Sequence, residues 1–78
     1  MTQAEMRNFI RNSAQQPFRV CLADGVSYKV SHPDFAAVSP DSLLLIAGPG
    51  HELSAEFIIC PLDHIIRVEV LKKKVRAA

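Results

Sequence analysis

The segment from Phe18 to Ser31 constrains the chain more than any other. Phe18, Val20 and Leu22 alternate with Arg19, Cys21 and Ala23, and beyond Asp24-Gly25 the residues Val26, Tyr28 and Val30 alternate with Ser27, Lys29 and Ser31. A period of two on both sides of an Asp-Gly pair is the pattern of a β-hairpin with one buried face, because Asp-Gly tolerates positive φ at both centres of a type I′ turn. The spacing predicts that Phe18, Val20 and Leu22 face the same side as Val26, Tyr28 and Val30. An isolated hairpin is marginal in water, so the rest of the chain must supply cover for that face.

Upstream, Thr2-Gln3-Ala4-Glu5 has the spacing of a capping box and predicts a helix start. Met6, Phe9 and Ile10 then form one apolar stripe, with Arg7 and Arg11 facing water. The stripe predicts that all three are buried against a sheet. Pro17 stops the helix, and Asn12 to Gln16 is the exit turn, since the residue before a proline is pushed out of the helical region.

Downstream, His32-Pro33-Asp34 ends the hairpin, and the segment to Pro40-Asp41 reads as a loop with one helical turn around Asp34-Phe35-Ala36. Leu43-Leu44-Leu45-Ile46 and Phe57-Ile58-Ile59-Cys60 are apolar on both faces of any strand they form, so both faces need cover. Gly48-Pro49-Gly50 turns the chain between them. After Pro61-Leu62-Asp63-His64, Ile66, Val68 and Val70 alternate with Arg67, Glu69 and Leu71 in a last strand. The result is an α+β, mostly β domain: an N-terminal helix followed by a five-stranded, strongly bent antiparallel sheet. A small barrel over residues 1–71 lets so short a sheet face itself, with residues 72–78 as a short basic tail.

Composition limits what such a domain does. With 78 residues, 49% of them hydrophobic and 22% charged, the chain has one core and no material for a second. Through Leu71 five basic residues stand against eight acidic ones, while Lys72, Lys73, Lys74 and Arg76 close the chain, so the formal charge of +1 describes a mildly acidic body with a basic end. Cys21 and Cys60 lie in strand-like stretches without the close spacing of a disulfide or zinc scaffold, and are read as free thiols. No N-terminal apolar core of signal-peptide length and no run near the roughly 18 residues of a spanning helix is present. The chain is read as cytoplasmic, with no membrane partner.

Gln16-Pro17-Phe18-Arg19-Val20, Leu22-Ala23-Asp24-Gly25, Val30-Ser31-His32-Pro33-Asp34 and Leu62 to Val70 resemble a group of small uncharacterised bacterial proteins sharing a PFR hairpin, an HP-D/E turn and a closing apolar strand. In layout, a helix followed by five strands with a tight turn between the last two, the chain also resembles the Sm-like and SH3-like small barrels. The Sm-like resemblance implies a ring of subunits joined by strand edges and binding of RNA. Asp63-His64-Ile65-Ile66 falls where the bacterial Sm-like RNA chaperone has a lysine-histidine pair followed by apolar residues, but Asp63 reverses the sign of the lysine. The loop that lines the pore in those rings carries Asp34 and Asp41 here, and carboxylates repel the phosphates that supply most non-specific affinity for nucleic acid.

The polar clusters have bland readings beside their functional ones. His32, Asp34 and Phe35 close a strand, cap a helical turn and plug the end of the barrel, or form part of a ligand site. Cys21, Cys60, His32, His51 and His64 lack metal-ligand spacing, and Cys60 with His64 lacks the geometry of a nucleophile pair. No cofactor and no enzymatic activity is expected. Lys72, Lys73, Lys74 and Arg76 meet phosphates or an acidic partner, or form a solvated end that keeps an edge strand from aggregating. The surplus of apolar residues over available cover predicts a homo-oligomeric interaction module, a dimer in preference to a ring, with an RNA-binding Sm-like protein as the alternative.

Overall fold

The computed structural model describes residues 1–47, 53 and 55–71. Helix α1 spans Gln3–Arg11, and its capping box is complete: the Glu5 N–H donates to the Thr2 hydroxyl (3.2 Å) and the Thr2 N–H donates to the Glu5 carboxylate (3.0 Å). Met6 and Ile10 are buried, as the stripe requires, but Phe9 is only half-buried and rests tilted on Phe18 with ring centroids 5.5 Å apart. At the helix exit, Ser13 is buried with its hydroxyl donating to the Ile10 carbonyl at 2.7 Å.

Six strands follow: β1 (Phe18–Leu22), β2 (Ser27–Val30), β3 (Ala36–Val38), β4 (Ser42–Ile46), β5 (Phe57–Pro61) and β6 (Ile65–Val70). They form two antiparallel three-stranded sheets, in the orders β2-β1-β6 and β3-β4-β5, not one five-stranded sheet closed into a barrel. The extra strand is β3, in the segment read from sequence as loop. The physical reason for the split lies at two 3-10 turns, Pro33–Phe35 and Leu62–His64. Each crossing between sheets, β2 to β3 and β5 to β6, passes through one of them. A proline at the head of the first has no N–H to continue a ladder.

The hairpin has the predicted pairing but a different turn. Phe18 lies opposite Val30 and Val20 opposite Tyr28, so those residues share the core face. Gly25 donates to the Leu22 carbonyl at 3.0 Å, closing a four-residue turn, and Gly25 alone among the described residues has positive φ, at 90°. A type I′ turn needs positive φ at two positions, so this turn carries its left-handed residue at the bulge after it. Asp24 accepts from the Val26 N–H instead of adopting positive φ (3.0 Å). Val26 is displaced from the buried row and is 42% exposed.

The core lies between the two sheets and under the helix. Met6, Phe18, Val20, Val30, Leu43 and Leu45 are all fully enclosed. Among the described residues no helix is long and apolar enough to cross a membrane.

Candidate functional site

His32, Asp34 and Phe35 meet at the Pro33–Phe35 turn. His32 is the N-cap: its Nδ1 accepts from the Asp34 N–H at 3.2 Å and its ring lies 5.7 Å from that of Phe35. The cap is therefore histidine and not Asp34, whose exposed carboxylate stands 3.5 Å from the same nitrogen. An Nδ1 that accepts a backbone hydrogen bond is occupied in closing the turn. Asp63 and His64 are exposed on the Leu62–His64 turn. That turn is fixed by the Leu62 N–H donating to Asp41 O (2.9 Å) and the Ala23 N–H donating to His64 O (2.9 Å). Both hold it by backbone and leave the two side chains uncommitted to its geometry. His51 and the tail residues Lys72, Lys73, Lys74 and Arg76 lie outside the described residues.

A cleft of about 530 Å³ opens where the hairpin turn meets β5, lined by Asp24, Tyr28, Ile58, Cys60 and His64 among others. Burial pushes the Cys60 thiol above its usual range, and the Asp24 carboxylate adds to the effect, whereas a reactive cysteine needs its thiolate favoured. Cys60 is 1% exposed. Among the described residues no group of three or more His, Cys, Asp or Glu side chains is placed to hold a metal.

The strongest asymmetry of the molecule lies in the outer faces of its two sheets. On β2-β1-β6 the outward row comprises Arg19, Lys29 and Glu69 in one rank and Cys21, Ser27 and Arg67 in the next. Glu69 binds Arg19 at 3.1 Å and Arg67 at 3.2 Å. The Arg67 guanidinium is held still more firmly protonated, first by the Cys21 side chain opposite it and then by Glu69. This is a charged face, with Cys21 the buried member of its ranks.

On β3-β4-β5 the register places Ala37, Leu44 and Ile59 in one outward rank, Ile46 and Phe57 in a second, and Ser42 and Pro61 in a third. None of these residues is charged. Phe57 is 55% and Ile59 61% exposed, and a shallow hollow of about 400 Å³ lies over Leu44 and Ile59. The inward ranks, Val38 with Leu43 and Cys60, and Ala36 with Leu45 and Ile58, fill the core. The double-faced apolar runs thus bury one face and leave the other to solvent, which small monomeric proteins avoid for contiguous patches.

The histidine and aspartate clusters singled out from sequence do not belong to this face. Apart from Ser42 its residues have no polar side chains, and they match no site pattern. The signal that finds them is the excess of apolar residues in Leu43–Ile46 and Phe57–Cys60 over what one core can hold. Comparison of the chain with family models, curated proteins and solved structures finds no match.

Proposed function

We propose that the chain is a small non-enzymatic interaction module that works as a homo-oligomer, a dimer in preference to a ring. Its contact surface is the β5 border of the outer face of β3-β4-β5, where Phe57 and Ile59 stand. The observation that carries this reading is the contrast between the two sheets: one outer face bears three interlocked charges, the other exposes Phe57 and Ile59 without a charge among its ranks. Burying a large apolar side chain is worth about 1.5–3 kcal/mol, so a second apolar surface gains by covering them. In this reading the fold is an Sm-like or SH3-like barrel left open, its two sheets joined by 3-10 turns. Two buried free thiols fit a reducing, cytoplasmic setting.

The RNA-binding alternative rests on the tail alone. Asp34, Asp41 and Asp63 are all exposed at the turns, and two of the five basic residues before the tail, Arg19 and Arg67, are tied to Glu69. Sedimentation velocity from low to high micromolar concentration tests the proposal. A mass rising above the 8.6 kDa of one chain, and returning to it in Ile59→Lys, is the expected result. A wild-type chain that stays at 8.6 kDa throughout overturns it.

A further inference from the structure

We infer that the second copy docks by continuing the β3-β4-β5 sheet, its own β5 running antiparallel to the first with Phe57 opposite the partner's Ile59. This rests on the self-association proposed above and adds the element, the direction and the register.

The two sheets present four edges, and three are guarded. β3 is three residues long, with Pro33 and Pro40 on either side. β2 carries Lys29 and follows directly on the tight turn. β6 is bulged, since Cys21 pairs Arg67 and Leu22 pairs Ile65, leaving Ile66 as an extra residue, and it also bears Arg67 and Glu69. Short strands, charges and bulges are the devices that keep an edge from pairing. β5 has five residues, no bulge and no charge, and pairs with β4 alone among the described strands.

The hydrogen bonds at the two ends of the β4–β5 ladder identify which backbone groups that edge offers. Ala47 N–H donates to Glu56 O (2.8 Å) and Leu62 N–H donates to Asp41 O (2.9 Å). In an antiparallel ladder the bonded pairs alternate, so positions 58 and 60 also turn their backbone to β4, and positions 57, 59 and 61 turn theirs away. Phe57 and Ile59 therefore each present an N–H and a C=O to the free edge. Pro61 presents only a C=O, which explains why a proline is tolerated there.

That inventory selects a register. Setting Phe57 against the partner's Ile59, with the two-fold axis at Ile58, makes four hydrogen bonds and satisfies every outward N–H of both strands. Any register that places Pro61 opposite Phe57 or Ile59 leaves a carbonyl without a donor. The chosen pairing also keeps the outward side chains of both copies on one side, so that Phe57 and Ile59 meet their counterparts across the seam. The covered area is roughly 400 Å² per copy, taking about half of each large side chain plus the strand edge. The total of about 800 Å² falls below the ~1,200 Å² of stable complexes, so the dimer is reversible and concentration-dependent, not obligate.

Amide hydrogen exchange on the wild-type chain, resolved by NMR at low and high protein concentration, tests the inference. The amides of Phe57 and Ile59 should exchange fast when dilute and slow at least tenfold when concentrated. Those of Ile58 and Cys60, already bonded to β4, should be protected at both. Association with no protection at Phe57 and Ile59, or with protection appearing instead at Val68 and Val70 on β6, overturns this pairing and leaves self-association standing. No association at any concentration removes both.

Discussion

Replacing Leu43 by alanine and, separately, its neighbour Leu44 by alanine separates the two faces of β4 at one step along the chain. Leu43 is 0% exposed and sits on the central strand of its sheet between Val38 and Cys60. Truncation removes transfer free energy of about 0.8 kcal/mol per methylene-sized group and leaves a cavity that the ladders on both sides keep from collapsing. A cost of about 3–4 kcal/mol follows, within the range of buried leucine truncations. Against a total of roughly 4–12 kcal/mol for a chain of 78 residues, that is a large share of the stability. It corresponds to a fall of roughly 12–30 °C in Tm. Leu44 faces outward, and its truncation in the dilute monomer should cost under about 1 kcal/mol. Urea unfolding followed by far-UV circular dichroism at low micromolar concentration suits a protein with no tryptophan and a single tyrosine. The midpoint should move and the slope should not. Equal costs for the two variants, or a larger cost for Leu44→Ala, would refute the facing of β4 and with it the apolar outer face.

Three further outcomes are expected. Met6→Ala should cost about 2–5 kcal/mol and Phe9→Ala less, because Met6 is fully enclosed whereas Phe9 keeps one side open; the same urea titrations rank them. Gly25→Ala should cost about 1–2 kcal/mol from the positive φ alone, since a Cβ there meets nothing within 4 Å, and a cost near zero would show that the turn relaxes freely. The Glu5 carboxyl is held below its usual 4.5, first by the Thr2 N–H and then by the Thr2 hydroxyl. A depressed carboxyl contributes stability that is present above the unfolded value and lost as pH falls through the folded one. The stability difference between wild type and Glu5→Gln should therefore shrink below about pH 4.5, as thermal melts across that range will record.

What the sequence disclosed follows from how local each signal is. The capping box and the Met6–Ile10 stripe depend on residues within a few positions of one another, and so does the hairpin pairing of Phe18 with Val30. The turn type was less legible, because Asp24 has two ways to serve a turn and here accepts from Val26 instead of adopting positive φ. The splitting of the sheet was not legible at all. Whether His32-Pro33 ends a strand or bends it into a second sheet depends on β4, whose pairing with Ala36–Val38 turns an apparent loop into β3. For the candidate site the apolar excess was visible in Leu43–Ile46 and Phe57–Cys60, but which residues of each run face outward depends on cross-strand register. His32, Asp34, Asp63 and His64 stood out because their side chains are chemically distinctive, a property unrelated to where an uncovered surface lies.

Ile59 and Ile66 distinguish the two sheets as contact surfaces, because they are almost equally exposed, at 61% and 64%, and sit on different sheets. Methyl NMR spectra of the isoleucines recorded over a dilution series report which surface meets a partner. The Ile59 signal, with that of Ile46 opposite Phe57, should move with concentration while that of Ile66 on the charged sheet stays fixed. Signals that are all independent of concentration, or a shift confined to Ile66, would contradict it.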